Sequence, residues 1–466
     1  MRQSNYNGNR PRKKVKKDIP REQGLLMGKL RFLTFCFVSI ILFLSGRVYY
    51  IKAKDGAEYE KKAIVQQVSK NDTSRSINPN RGAILDRNRS TQAFAVSTTV
   101  YNIFIDNKML LEEEDKVQQD TVNKISKVLN MTSAELLTSI KESPESQYNV
   151  IIKEVDSKTK EALEKEEAKH VYFEEDSKRR YPMGDVAAST IGMIRGDVLS
   201  GLEGEYDEYL KGSPGREFRL YDQENNAVTE RIPPTMGSTV ITTLDMSLEQ
   251  EAQKLVAKYG EEAQAQHAAI LIADPNTGEL LTIAEYPSYD LNDPTNIDLV
   301  SSDYHRERLL AVPEEERMNA IFDLWRSFSI SDTYEPGSIY KPLVVAAALE
   351  EGLITENDTF YCSGAKTVAG EVIDCWNLSG HGHLNYKEVL AYSCNVGIME
   401  IIERLGREKY YGYQKDFGIG SSTGIDIGGE LQDWRQMVHG ISTLGPVELA
   451  AAAMGQGNNA SPIQMI

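Results

Sequence analysis

Two apolar runs stand apart in a chain that elsewhere mixes short hydrophobic and charged stretches. Phe32 to Gly46 carries no charge over 15 residues. Leu343-Val344-Val345-Ala346-Ala347-Ala348-Leu349 is apolar on all sides, the pattern of a helix buried at a domain centre. Between them, Val100-Tyr101-Asn102-Ile103-Phe104-Ile105 alternates with a period of two and predicts a strand. Lys108 to Leu129, Ser133 to Glu142 and Ser157 to Lys169 predict helices whose Glu and Lys runs are solvated faces. Beyond Pro233-Pro234 the texture changes. Ser247 to Tyr259 predicts a helix with an acidic start. Ala268 to Asp274 and Glu279 to Ala284, joined by the turn Pro275-Asn276-Thr277-Gly278, predict an antiparallel hairpin that begins a sheet. Tyr386 to Tyr392 and Val396 to Leu405 predict two helices, the second stopped by Gly406. Antiparallel sheet with packed helices is an α+β architecture.

Charge changes the picture at the N-terminus. The chain of 466 residues carries a net charge of −17, but Met1 to Arg31 holds ten of the 52 Lys and Arg against two of the 69 Asp and Glu, leaving −25 for the rest. Such a body repels nucleic acid, so the basic arm needs another reason. The uncharged run supplies it: extended by its flanks, with Lys29, Arg31 and Arg47 placed to reach headgroups and Tyr49 and Tyr50 suited to an interface, residues 32–51 predict one membrane-spanning helix. No small-x-small cleavage site directly follows, which favours a retained anchor over a signal peptide. The positive-inside rule puts residues 1–31 in the cytoplasm and everything after Ile51 outside it. The length left over calls for two or three domains, with a boundary at Pro233.

Cys362, Cys375 and Cys394 fall in the outer part, where disulfides persist. Cys362 and Cys375 flank a turn-rich loop and could bridge. With His381 and His383 they also form a zinc-compatible set, but Cys-x12-Cys-x5-His-x-His matches no common structural spacing. The expectation is therefore a disulfide or free thiols, with no metal and no cofactor.

The candidate chemistry centres on Ser338-Ile339-Tyr340-Lys341. Pro342 belongs in the first turn of a helix, so Ser338 opens the buried one. Three residues apart, Ser338 and Lys341 share a face, and the helix start offers its dipole to an oxyanion. A serine hydroxyl needs a base, and a lysine kept partly neutral by burial can serve. Ser157-Lys158-Thr159-Lys160 also matches the pattern, but in a charged stretch. Between the two later helices, Ser393-Cys394-Asn395 sets a hydroxyl and a carboxamide where they can pass a proton and hold a substrate amide. Gly420-Ser421-Ser422-Thr423-Gly424 fits a nucleophile elbow in sequence, without the strand before it and helix after it that the motif requires.

Tyr334-Glu335-Pro336-Gly337-Ser338 with Lys341-Pro342, then Ser393-Cys394-Asn395, resemble the motifs of penicillin-recognising serine enzymes. The flanks narrow the resemblance to class B penicillin-binding proteins: Arg81-Gly82 to Asp86-Arg87-Asn88, Gly201-Leu202-Glu203-Gly204, Asp274-Pro275-Asn276-Thr277-Gly278-Glu279, Thr423-Gly424-Ile425-Asp426, and Gly455-Gln456-Gly457 through Pro462-Ile463-Gln464-Met465. The resemblance implies a membrane-anchored D,D-transpeptidase, with residues 52–232 as a pedestal of the dimerisation type and 233–466 as the transpeptidase domain. It implies that Ser338 attacks the penultimate D-Ala of a stem peptide ending in D-Ala-D-Ala, that Lys341 is the base, and that Ser393 and Asn395 relay the proton and position the peptide. β-Lactams would acylate the same serine. The expected partners are peptidoglycan stem peptides, the membrane, a glycosyltransferase and other wall-synthesis membrane proteins.

The resemblance also implies a third motif, Lys-Thr/Ser-Gly on a sheet strand, which these 466 residues do not contain; Lys366-Thr367-Val368 is no match. The transpeptidase domain is therefore expected to be partial, truncated at its C-terminus. The alternatives are a non-catalytic scaffold of wall synthesis, or a β-lactam sensor or β-lactamase. The last lacks a Glu-x-x-Leu-Asn segment after Asn395 that would activate water.

Overall fold

A computed structural model describes residue 35 and residues 37–47, 49–50, 74–221, 227–431 and 437–466. The basic arm 1–31 lies outside the described residues, as do the remaining positions of the 32–51 run. Residues 37–47 are helical and exposed. Among the described residues no helix is long and apolar enough to cross a membrane.

The chain divides into two compact units, residues 1–76 with 216–232, and residues 77–215 with 233–466. In the first, the strand Gly215–Tyr221 lies between Ser74–Ile77 and Ala227–Ile232 in a three-stranded sheet.

The second unit begins with a three-stranded antiparallel sheet. Its central strand β1 (Val96–Ile105) pairs on one side with β2 (Asn149–Val155) and on the other with β3 (Val171–Arg180), Val96 facing Arg180 and Ile105 facing Val171. Between β1 and β2 run α1 (Asp115–Leu129) and α2 (Ser133–Glu142), whose Val122, Ile125, Leu136 and Ile140 bury against Ile103 and Ile105, and between β2 and β3 runs α3 (Ser157–Lys165). Thr132 and Glu135 cap α2 reciprocally, the capping box written into Thr-x-x-Glu. One helix was expected over 108–129; the chain instead makes a short turn of helix at Asn107–Leu111 and restarts at Asp115. The first stretch ends at Glu112, whose backbone N–H closes it onto Lys108 O and Leu110 O.

Near the end of β3, Arg179 packs inward. Its Nε donates to Glu203 Oε1 at 2.6 Å, while Arg81 Nε donates to Glu203 Oε2 at 2.7 Å and Arg81 Nη1 to Asp207 Oδ1 at 2.6 Å. Glu203 is fully buried. Its two oxygens are each matched by a guanidinium, the condition under which a buried carboxylate is tolerable.

Further along, α4 (Met246–Glu262) starts at Asp245, whose carboxylate accepts from the backbone of Ser247 and Leu248. It packs across the hairpin of β4 (Ala268–Ala273) and β5 (Leu280–Tyr286). Gly260 permits this approach: a Cβ there would stand 2.4 Å from Tyr286 Cδ1. Among the described residues the hairpin remains two-stranded.

The helix α5 (Lys341–Glu350) enters next. It is followed by two antiparallel ladders, β6 (Phe360–Cys362) with β9 (Gly382–Leu384), and β7 (Ala365–Val368) with β8 (Glu371–Asp374). Then come α6 (Tyr386–Ala391), α7 (Asn395–Leu405) and α8 (Pro446–Ala453). Val344, Val345 and Ala348 of α5 share one core with Ile398, Met399, Ile401 and Ile402 of α7 and Ala452 and Ala453 of α8. The result is a mixed α/β arrangement, with helices forming the core and short antiparallel ladders at its margin.

Candidate active site

Ser338 sits in a 3-10 turn, Gly337–Tyr340, directly ahead of α5. In such a turn residues three apart eclipse one another, so Ser338 and Lys341 project the same way. Ser338 is exposed and Lys341 is 1% exposed. The turn is clamped from behind. Gly337 has φ +63° and donates its N–H to Gly455 O at 2.8 Å. A Cβ on Gly455 would fall 2.1 Å from Gly337 O. Tyr334 and Ala460 form an antiparallel bridge, and Gly457 N donates to Glu335 Oε1 at 2.8 Å. Tyr340 anchors the inner side through Tyr410 at 3.1 Å, itself held by Asn458 Nδ2 at 3.1 Å.

Opposite the turn lies Ser393-Cys394-Asn395. Ser393 has φ +50°, and Cys394 caps α7 by accepting from Gly397 N. Lys341 Nζ donates three hydrogen bonds, all into this loop: to Ser393 O at 2.8 Å, Ser393 Oγ at 3.0 Å and Asn395 Oδ1 at 2.8 Å. Ser393 Oγ in turn donates to Ser338 Oγ at 2.8 Å. The lysine thus reaches the exposed hydroxyl through Ser393. Burial holds the Lys341 ammonium below the ordinary lysine value, against the pull of the Cys394 and Cys375 thiols. Asn395 is oriented from its other end, Nδ2 donating to Asp374 O at 3.2 Å.

All four residues expected from the sequence come together here. The others do not. Lys366 of the imperfect Lys-Thr match pairs with Glu403 at 2.8 Å. Ser157 starts an exposed helix, and Ser421 and Ser422 lie on an exposed loop with neither strand before nor helix after. The sequence did not single out Asp374, whose backbone oxygen alone is used. It also did not join Cys394 to Cys375, which requires knowing that β8 ends beside the start of α7.

Residues 76–198 match the model of the penicillin-binding protein dimerisation domain, and residues 268–466 that of the penicillin binding protein transpeptidase domain. Stage V sporulation protein D of Bacillus subtilis is 30% identical over 452 residues, 94% of this chain and 64% of that protein. The chain belongs to the class B penicillin-binding proteins. Another relative, the peptidoglycan D,D-transpeptidase FtsI of Escherichia coli, is 26% identical over 92% of this chain and 68% of its own length. The chain thus spans about two thirds of each of these relatives. Penicillin-binding protein 2X of Streptococcus thermophilus shares the penicillin-binding protein fold, with a TM-score of 0.66 at 20% identity over 84% of this chain and 58% of that one. So does the penicillin-binding protein of Helicobacter pylori solved in complex with MreC, with a TM-score of 0.60 at 22% identity over 84% and 75%.

Proposed function

We propose that this chain carries the reactive centre of a membrane-anchored peptidoglycan D,D-transpeptidase, with Ser338 as nucleophile and Lys341 as its base. The observation that carries the reading is the unbroken line of hydrogen bonds from Lys341 Nζ through Ser393 Oγ to Ser338 Oγ. With Lys341 neutral the same line runs in reverse. Ser338 gives its proton to Ser393, Ser393 passes its own to Lys341, and Ser338 Oγ bonds to the penultimate D-Ala carbonyl carbon. The oxyanion forms at the start of α5, where the Ser338 backbone N–H and the helix dipole favour it. Terminal D-Ala leaves with a proton returned along the same path. The amine of a neighbouring stem peptide then resolves the acyl-enzyme, restoring the Ser338 hydroxyl. Asn395, held between Lys341 and Asp374 O, is the group placed to take the stem-peptide amide.

β-Lactams, as mimics of the D-Ala-D-Ala end, acylate Ser338. The uncharged run near the N-terminus supports anchoring in the cytoplasmic membrane with the site outside it, and residues 52–232 serve as pedestal. By analogy with the Helicobacter protein's complex, wall-synthesis membrane proteins are the partners.

The test is intact mass after incubation with benzylpenicillin, on this chain joined to the Lys-Thr/Ser-Gly strand that the family resemblance calls for. One adduct per molecule is expected, on the peptide containing Ser338. An adduct that persists in Ser338→Ala sinks the assignment.

A further inference from the structure

Beside the proton path, four side chains from three segments converge. Cys362 ends β6, Cys375 follows β8, His381 precedes β9, and Cys394 caps α7. Their ligand atoms all lie within 4.8 Å of one another, and the three cysteines are buried and unbridged. Cys375 Sγ and His381 Nδ1 are 3.7 Å apart. Zinc bonded to sulfur at about 2.3 Å and to nitrogen at about 2.05 Å in a tetrahedron sets S···N edges of about 3.6 Å and S···S edges of about 3.8 Å. The cluster is thus a slightly open version of that tetrahedron.

We infer that Cys362, Cys375, His381 and Cys394 bind a single zinc ion.

His381 itself turns Nδ1 toward Cys375 Sγ rather than toward a protein oxygen among the described residues. Two features beyond proximity point to a metal. The Gly397 backbone N–H donates to Cys394 Sγ at 3.3 Å, a donor of the kind that surrounds thiolate ligands. Finally, the loops are closed against each other backbone to backbone. Cys375 N donates to Gly364 O at 2.8 Å, and a Cβ at Gly380 would meet Cys362 O at 2.4 Å. These glycines let two loops approach as closely as shared ligation requires.

The sequence argued against zinc because it paired Cys362, Cys375 and His381 with His383. In the structure His383 is exposed on β9 opposite Tyr361, and the fourth ligand is Cys394, thirteen residues beyond His381. Three buried thiolates and one half-buried imidazole fill all four positions of a tetrahedron, a closed structural set. A sulfur-rich tetrahedral set also disfavours magnesium and calcium.

The ion would tie together the two segments that orient the candidate active site. Cys394 stands between Ser393 and Asn395, and Cys375 adjoins Asp374, whose carbonyl oxygen holds Asn395. The zinc therefore acts as a positioning device. Its presence is read without substrate or β-lactam, so its failure and that of the transpeptidase reading are separate.

The experiment uses the whole 466-residue chain, reduced and incubated with zinc alone, then dialysed and assayed for metal by atomic emission. One zinc per chain is expected. Cys375→Ser and His381→Ala should weaken zinc binding by at least about a hundredfold, while His383→Ala retains it and His381→Cys, a four-thiolate set, retains it as well. Because ligand variants risk misfolding, the unmodified chain is also loaded with cobalt. Tetrahedral d–d bands together with thiolate-to-cobalt charge transfer are expected. Zinc binding well below one per chain, a cobalt spectrum without thiolate charge transfer, iron in place of zinc, or a disulfide between Cys362 and Cys375 in the protein as isolated would each overturn the assignment.

Discussion

The Ser393 hydroxyl donates to Ser338 Oγ at 2.8 Å while accepting from Lys341 Nζ at 3.0 Å. One small side chain therefore connects the buried Lys341 to the exposed Ser338. Ser393→Ala should slow penicillin acylation by about a hundredfold to ten-thousandfold, the usual range for loss of a proton-transfer group. Time-resolved labelling measures it. An unchanged rate would mean that Lys341 reaches Ser338 without Ser393.

Gly455 and Gly337 are in backbone contact, and no side chain fits between them. Gly455→Ala places a Cβ 2.1 Å from Gly337 O at a residue with φ +75°. It should destabilise the fold by at least about 1–3 kcal/mol and also depress acylation, since the Ser338 turn must move. Gly412→Ala is the control. It lies within the helix Arg407–Asp416 with open space around it, and should stabilise by about 0.5–1 kcal/mol. Urea unfolding and labelling rate, measured on both, separate strain at the turn from a general effect of losing a glycine.

Glu249 gives the fold a pH dependence remote from the candidate active site. Burial pushes its carboxyl up from 4.5 to about 8, with nearby Glu285 adding to the rise and the Ile283 N–H opposing it. The unfolded chain loses this proton near 4.5 and the folded chain keeps it until about 8. Between those values the folded state binds more protons, so stability falls as pH rises, by at most about 1.4 kcal/mol per pH unit, and levels off above 8. Glu249→Gln should flatten this slope and gain most over the native protein above pH 8. Urea midpoints at pH 5.5 and 8.5 test it; parallel shifts at both would refute the buried-carboxyl origin.

Removing Glu203 leaves Arg81 and Arg179 facing each other without their shared carboxylate. Glu203→Ala should cost about 3–5 kcal/mol, as for other buried pairs broken on one side. Because Glu203 is buried, salt should do little to lessen the difference. A loss below 1 kcal/mol would show that water enters and replaces the carboxylate.

Much of this was legible in the sequence because it depended on local rules. Pro342 and the apolar run behind it mark α5, Asp245 marks the start of α4, and Thr132 with Glu135 marks α2. The spacing from Ser338 to Lys341 fixes which way both point. What escaped was set by contacts between distant segments. The strand Val171–Arg180 carries six charged residues and no clean alternation, and forms because β1 offers it an edge over ten paired positions. The tie between Asn395 and Asp374 uses a backbone oxygen, which no residue type announces. His383 joined the zinc-compatible set by residue type alone, yet strand pairing turned it to solvent, while Cys394 was hidden inside a motif already assigned to other work.

The carboxylate of Glu203 joins Arg81, 122 residues before it, to Arg179, and Arg81 also reaches Asp207, 126 residues away. β1 and β3 pair within one sheet, whereas the Glu203 carboxylate comes from the separate helix Gly201–Glu205, so without it Arg81 and Arg179 meet as two unpaired like charges. Closing a loop of this length costs entropy that only the later contacts repay. The junction should be among the last parts of residues 77–215 to gain protection from hydrogen exchange, and a bound anion at that stage would speed its formation.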